Sequence, residues 1–121
     1  MTKIPKAPAE LKASGRRLWR EVQERYELEE HERGLLLEMC RTVDMLDTLA
    51  ALVADEGPTV VDHTGNTRVH PALVEARQLR IAYARLAAAL RLPAGEEDEG
   101  VTRRPQRRVG VRGVYGPRGV A

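Results

Sequence analysis

Phenylalanine is absent from this 121-residue chain, which has one tryptophan, three tyrosines and one cysteine. With so few rings the core has to be built from Leu, Val and Ala, and 42% hydrophobic against 31% charged residues implies a modest, helical one. The lone Cys40 can close no internal disulfide, and no apolar run approaches the ~20 residues that a membrane span needs. Met1 to Lys12 alternates Lys, Pro and Ala without the apolar stretch of a secretory signal, so a soluble, intracellular protein is expected. No G-x-x-x-x-G-K-S/T motif occurs, which removes the phosphate cradle and lysine of a P-loop ATPase. Ser14 is the only serine and Cys40 falls on a helix face expected to be buried, where thiols are inert, so acyl transfer lacks a nucleophile. The length allows one domain with tails.

What is present is charge, sorted along the chain. Residues 1–20 have six Lys and Arg against Glu10 alone, whereas residues 21–62 have three Arg against twelve acids. Residues 63–92 are basic again through Arg68, Arg77, Arg80, Arg85 and Arg91, and Glu96, Glu97, Asp98 and Glu99 then form an acidic run. The last 21 residues have six Arg and no acid, with only Val and Tyr115 as substantial apolar material, too little to offset the entropy of ordering. The expected organisation is a flexible basic arm at 1–8, a helical core and oligomerisation domain at 9–92, and a disordered tail at 93–121, acidic first and then Arg/Gly-rich.

Within the core the expected fold class is mainly α: three helices with a short β-hairpin between the second and third. The first helix starts at Ala9 or Ser14 and runs to Arg25, with Leu11, Leu18, Val22 and Tyr26 on one face. Ser14 is a candidate N-cap. The second runs from about Glu29, whose acidic first turn suits the helix dipole, to Asp55 before Gly57-Pro58. Its main apolar face is Leu35, Leu36, Met39, Cys40, Val43, Leu46, Ala50 and Val53. Residues 59–69, rich in β-branched side chains on both sides of Gly65-Asn66, read as the hairpin. Pro71 opens a third helix that continues to about Leu92, with Ala72, Ala76, Leu79, Tyr83, Leu86 and Leu90 on its face.

Two further apolar rows exceed what three helices can cover: Met45, Leu49 and Leu52 on the second helix, and Val74, Ile81 and Ala88 on the third. Both are assigned to an oligomer interface. Glu38, Asp44 and Asp47 are expected as exposed acids facing Arg77, Arg80 and Arg85 of another copy, a head-to-tail contact able to close into a ring. Lys12, Arg16 and Arg20 form a stripe at i, i+4, i+8 with Arg17 nearby, and Arg103, Arg104, Arg107 and Arg108 form a second basic set. Both are candidates for phosphate contacts that read no bases. A helix-turn-helix is disfavoured because Glu29, Glu30 and Glu32 would face phosphates. The Asp62 to His70 segment has the residue types of a small metal-dependent nuclease in His63, Asn66 and His70, but an incomplete metal set. The structural alternative has Asn66 holding the turn and His70 capping the third helix or bonding across the hairpin.

Taken together, Gly15-Arg16-Arg17-Leu18-Trp19, Leu28, His31-Glu32, Leu37, Cys40, Gly57, Gly65-Asn66, His70-Pro71 and Leu90-Arg91-Leu92-Pro93 resemble the small subunit of tailed-phage terminases. The resemblance is to the branch with a short helical domain and covers roughly residues 15–93. It implies a non-enzymatic protein of the host cytoplasm that binds viral double-stranded DNA near the packaging start and assembles as a ring-like homo-oligomer. It also implies delivery of DNA to the large terminase subunit, which holds the ATPase and nuclease. No cofactor, metal or membrane partner is expected. A head-tail connector protein that assembles without DNA binding is the other alternative. The acidic run at Glu96 to Glu99 departs from the family pattern, in which small polar and basic residues often follow.

Overall fold

The computed structural model describes residues 3–92. Its elements are α1 (Ala13–Arg25), α2 (Glu30–Glu56), β1 (Thr59–Val61), β2 (Thr67–Val69) and α3 (Pro71–Leu90). The expected tail, with Arg103, Arg104, Arg107, Arg108 and the acidic run, lies outside the described residues.

α2 is the axis on which everything else rests. Its start is written locally: the Glu29 side chain accepts from the Glu32 backbone, and the Glu29 N–H donates to Glu32 Oε1 at 2.8 Å, a reciprocal capping box. α1 and α3 both pack on it, each running antiparallel to the stretch that it covers. Residues Leu11, Trp19, Val22, Tyr26, Leu28, Leu36, Met39, Cys40 and Leu90 form the core, so all three helices meet at the N-terminal half of α2. Farther along, Ala72 and Ala76 are the buried positions of α3, small enough to bring it close to α2. Burial pushes the Cys40 thiol up to about 12, with the nearby Asp44 carboxylate adding to the effect.

α1 begins differently from either expectation. Its N-cap is Lys12, which has no capping side chain, and the carboxylate that does the capping comes from α2. Asp44 accepts from the Gly15 N–H through Oδ1 and from the Lys12 N–H through Oδ2, both at 2.7 Å. One residue thus serves both donors of a capping box from outside the helix, with its negative charge at the positive end of the α1 dipole. Ser14, the candidate cap, donates its hydroxyl to Asp47 instead. Asp44 is therefore buried, correcting its assignment as an exposed acid: two unsatisfied amides of α1 draw it inward.

Gly15 makes this approach possible. A Cβ there would overlap the Asp44 carboxylate and stand 2.9 Å from the Cys40 carbonyl oxygen. The buried face of α1 is accordingly Gly15, Trp19, Val22 and Gln23, while Leu18 of the expected face is half-buried.

The two strands pair antiparallel with Thr59 opposite Val69, Val60 opposite Arg68 and Val61 opposite Thr67. The connecting loop is organised by Asp62, not Asn66: its carboxylate accepts from the Thr64 and Asn66 N–H groups, the Thr64 hydroxyl and Arg68 Nε. Gly65 takes φ 88°, a conformation that side chains rarely adopt. α3 stops at Leu90 because Arg91 turns left-handed, two residues before Pro93.

Asp44→Ala would leave the buried Gly15 amide and the part-buried Lys12 amide unpaired and should cost about 2 to 4 kcal/mol. Gly15→Ala should be comparably damaging. Gly34→Ala, at an exposed helical position with nothing within 4 Å of its would-be Cβ, should instead stabilise by about 0.5 to 1 kcal/mol. Urea unfolding followed by circular dichroism checks all three.

Candidate nucleic-acid interface

α1 turns Gly15, Trp19 and Val22 inward, which leaves Lys12, Arg16, Arg17 and Arg20 exposed. Arg16 Nη2 donates to the Ala9 carbonyl at 3.0 Å and Arg17 Nη2 to Ser14 Oγ at 3.1 Å, contacts that hold the stems while other guanidinium donors remain available. The N-terminal segment, expected within a flexible arm, lies along this helix. Trp19 Nε1 donates to the Pro5 carbonyl at 2.9 Å, giving the buried indole the partner it needs. Arg41 reaches from α2 to Glu10 at 2.7 Å and to Glu38 at 2.5 Å, tying the same stretch from the other side.

The result is a groove of about 690 Å³ between this segment and α1, lined by Ile4, Lys6, Arg16, Trp19, Arg20 and Glu24 among others. Three cations therefore line a groove that the Trp19 indole also borders. Arg16 and Arg20 were legible as a helical stripe; Lys6 and Trp19 were not legible as their neighbours, because the fold-back of residues 3–8 has no periodic signal.

The apolar rows lie on α2 from Met45, which borders Leu11 and Lys12, onward and along the outer side of α3. Asp44 and Asp47 meet the N-terminus of α1, so beyond them α2 has α3 as its helical neighbour and one side stays open. Met45 is 48% and Ile81 44% exposed; Leu52, Val74 and Ala88 are exposed as well, and Leu49 is half-buried. Val61 and Val69 of the hairpin are also exposed, and the pairing register puts them on one face. Of the three acids expected to face another copy, Asp44 caps α1, Asp47 accepts from Ser14 and Glu38 pairs with Arg41. Arg77, Arg80 and Arg85 on α3 are exposed.

His70 has both ring nitrogens in use. Nδ1 accepts from the Ala72 N–H at 3.0 Å, capping α3 as the structural alternative expected, and Nε2 bonds Glu56 Oε1 at 2.7 Å, joining the end of α2 to the start of α3. No group of three or more His, Cys, Asp or Glu side chains among the described residues is placed to hold a metal ion. Asn66 thus bonds within the hairpin loop, His70 caps α3 and His63 is exposed, which gives the nuclease alternative no geometric support.

Comparison with protein families matches residues 12–98 to the family described as phage terminase, small subunit. The chain belongs to that family. The matched region contains every helix among the described residues and the hairpin, from the Lys12 N-cap onward. No curated protein and no solved structure matches the chain. Membership gives this small-subunit chain a role in phage DNA packaging, inside the infected host cell, and small subunits of this family are generally regulatory rather than catalytic. No helix among the described residues is long and apolar enough to cross a membrane.

The Asp62 hydrogen bonds carry a pH signature. The Thr64 hydroxyl, Arg68 and the Asn66 N–H hold its carboxyl well below the ordinary range. Its stabilisation is therefore complete above the unfolded value of ~3.9 and is lost only as pH falls through the depressed folded value. Cross-strand contacts between Val61 and Thr67 should remain intact by NMR at pH 4; their loss at that pH would show that Asp62 does not hold the loop.

Proposed function

We propose that the protein recognises viral double-stranded DNA as a ring-like homo-oligomer and passes it to the large terminase subunit, which carries out ATP hydrolysis and cleavage. The observation that carries this reading is the separation of two surfaces on one small body. A cationic groove and stripe occupy α1, and uncovered apolar rows occupy the far half of α2 and the outer side of α3. The apolar rows favour association with further copies, since removing such area from water is worth roughly 25 cal/mol per Å². Association then multiplies the cationic surface, so that individually weak phosphate contacts act together.

Lys12, Arg16, Arg17 and Arg20 are the phosphate contacts in this reading, with Lys6 joining them across the groove. Arg103, Arg104, Arg107 and Arg108 are a second set that serves either DNA or the large subunit. The interface between copies uses Met45, Leu49 and Leu52 on one side and Val74, Ile81 and Ala88 on the other, a heterologous contact of the kind that closes into a ring. Arg77, Arg80 and Arg85 supply its polar rim.

Replacing Arg16 and Arg20 with Ala should lower the slope of log affinity against log salt by about 0.9 for each phosphate that the variant no longer neutralises. Gel-shift or anisotropy titrations at several salt concentrations measure it; an unchanged slope removes these residues from the interface, and no binding to phage or random DNA favours the connector alternative. Leu49→Glu should reduce the mass seen by light scattering toward that of a single chain, because a charge buried in an apolar contact is costly.

A further inference from the structure

The groove on α1 has a candidate occupant within the chain itself. We propose that the acidic run Glu96, Glu97, Asp98 and Glu99 docks in it, seated against Lys6, Arg16 and Arg20 over the Trp19 indole. Charge is the first argument: three cations line the groove against the single acid Glu24, and the run contains all the acidic residues that follow Glu75.

Position is the second. Leu92, the last described residue, packs on the same core as Ala7, and Ala7 also lines the groove. The chain therefore leaves the described structure at the same hydrophobic core that the N-terminal segment packs on. Only Pro93, Ala94 and Gly95 separate Leu92 from Glu96. At ~3.3 to 3.6 Å per residue, extended chain reaches about 13 Å at Glu96 and about 24 Å at Glu99.

The competing partners of the run are Arg103, Arg104, Arg107 and Arg108, adjacent in sequence. A pair formed there would fix two stretches of chain at once and gain little in water, where ion pairs are weak. In the groove Arg16 is already held by Ala9, and the Trp19 wall is fixed by Pro5. Docked carboxylates occupy the positions that phosphates would take. The run then acts as an internal competitor that only a densely charged polyanion such as DNA displaces. This consequence rests on the phosphate-binding role proposed above; the docking itself does not.

Trp19 is the single tryptophan and reports the contact without DNA. A nitroxide attached to Gly100→Cys in the full chain leaves all four acids intact, and buried Cys40, its thiol pushed up to about 12, stays unlabelled. Trp19 fluorescence should be quenched severalfold at low salt and recover in roughly 0.5 M salt, where screening is strong. It should stay unquenched when the four acids are changed to Gln. No quenching at low salt, or equal quenching in the Gln variant, would overturn the proposal. So would quenching that arises only when labelled Trp19→Tyr chains are mixed with unlabelled wild type, since the run would then reach a neighbouring copy. Affinity for DNA tests the other reading separately: the Gln variant should bind roughly tenfold more tightly. Docking without that gain would sever the groove from DNA binding while leaving the docking in place.

Discussion

Asp44 belongs to the second helix and caps the first. Its two oxygens satisfy the Lys12 and Gly15 amides, a geometry available only because residue 15 has no side chain. This clamp sets where α1 stops along α2. Because Lys12 follows the turn at Pro8 to Leu11, the clamp also sets where the N-terminal segment enters and how it lies beside Trp19 and Arg16. The cationic groove is thus a consequence of a buried carboxylate some distance from it.

The same clamp determines what is left uncovered. α2 has 27 residues and α1 has 13, about 40 Å against about 20 Å at 1.5 Å per residue. With α1 anchored at Asp44 and Asp47, its length is spent on the N-terminal half of α2. The far half pairs with α3, whose close packing depends on Ala72 and Ala76, and it ends in a hairpin too small to shield anything else. Met45, Leu52, Val74 and Ile81 are exposed for this geometric reason.

Much of this fold was legible in the chain, where its cause is local. α2 starts where Glu29 and Glu32 can cap one another, the hairpin follows its β-branched runs, and α3 opens on His70-Pro71; the structure has all three. What the sequence concealed has distant causes. The cap of α1 comes from a residue 29 positions beyond Gly15, and no short-range rule connects them. Of the apolar face expected for α1, Leu11, Val22 and Tyr26 are buried and Leu18 is half-buried; Gly15, Trp19 and Gln23 widen it on one side. Gly15 and Trp19 escape the periodic pattern because neither reads as part of an aliphatic stripe. Asp62 is an exception with a local cause: its bonds to Thr64 and Asn66 form a short-range turn, but Asn66 beside Gly65 drew the reading instead. At the candidate interface the Arg16 and Arg20 stripe was visible from spacing, whereas the groove required knowing that Pro5 folds back onto Trp19.

The account ties one buried carboxylate to two surfaces, and its central claim is that the open side of the α2 and α3 arm is covered by other copies. Sedimentation velocity of the wild-type chain across a wide concentration range tests this most directly. A single species at a fixed multiple of the chain mass, unchanged on dilution, is the predicted result; a lone chain at every concentration would contradict it.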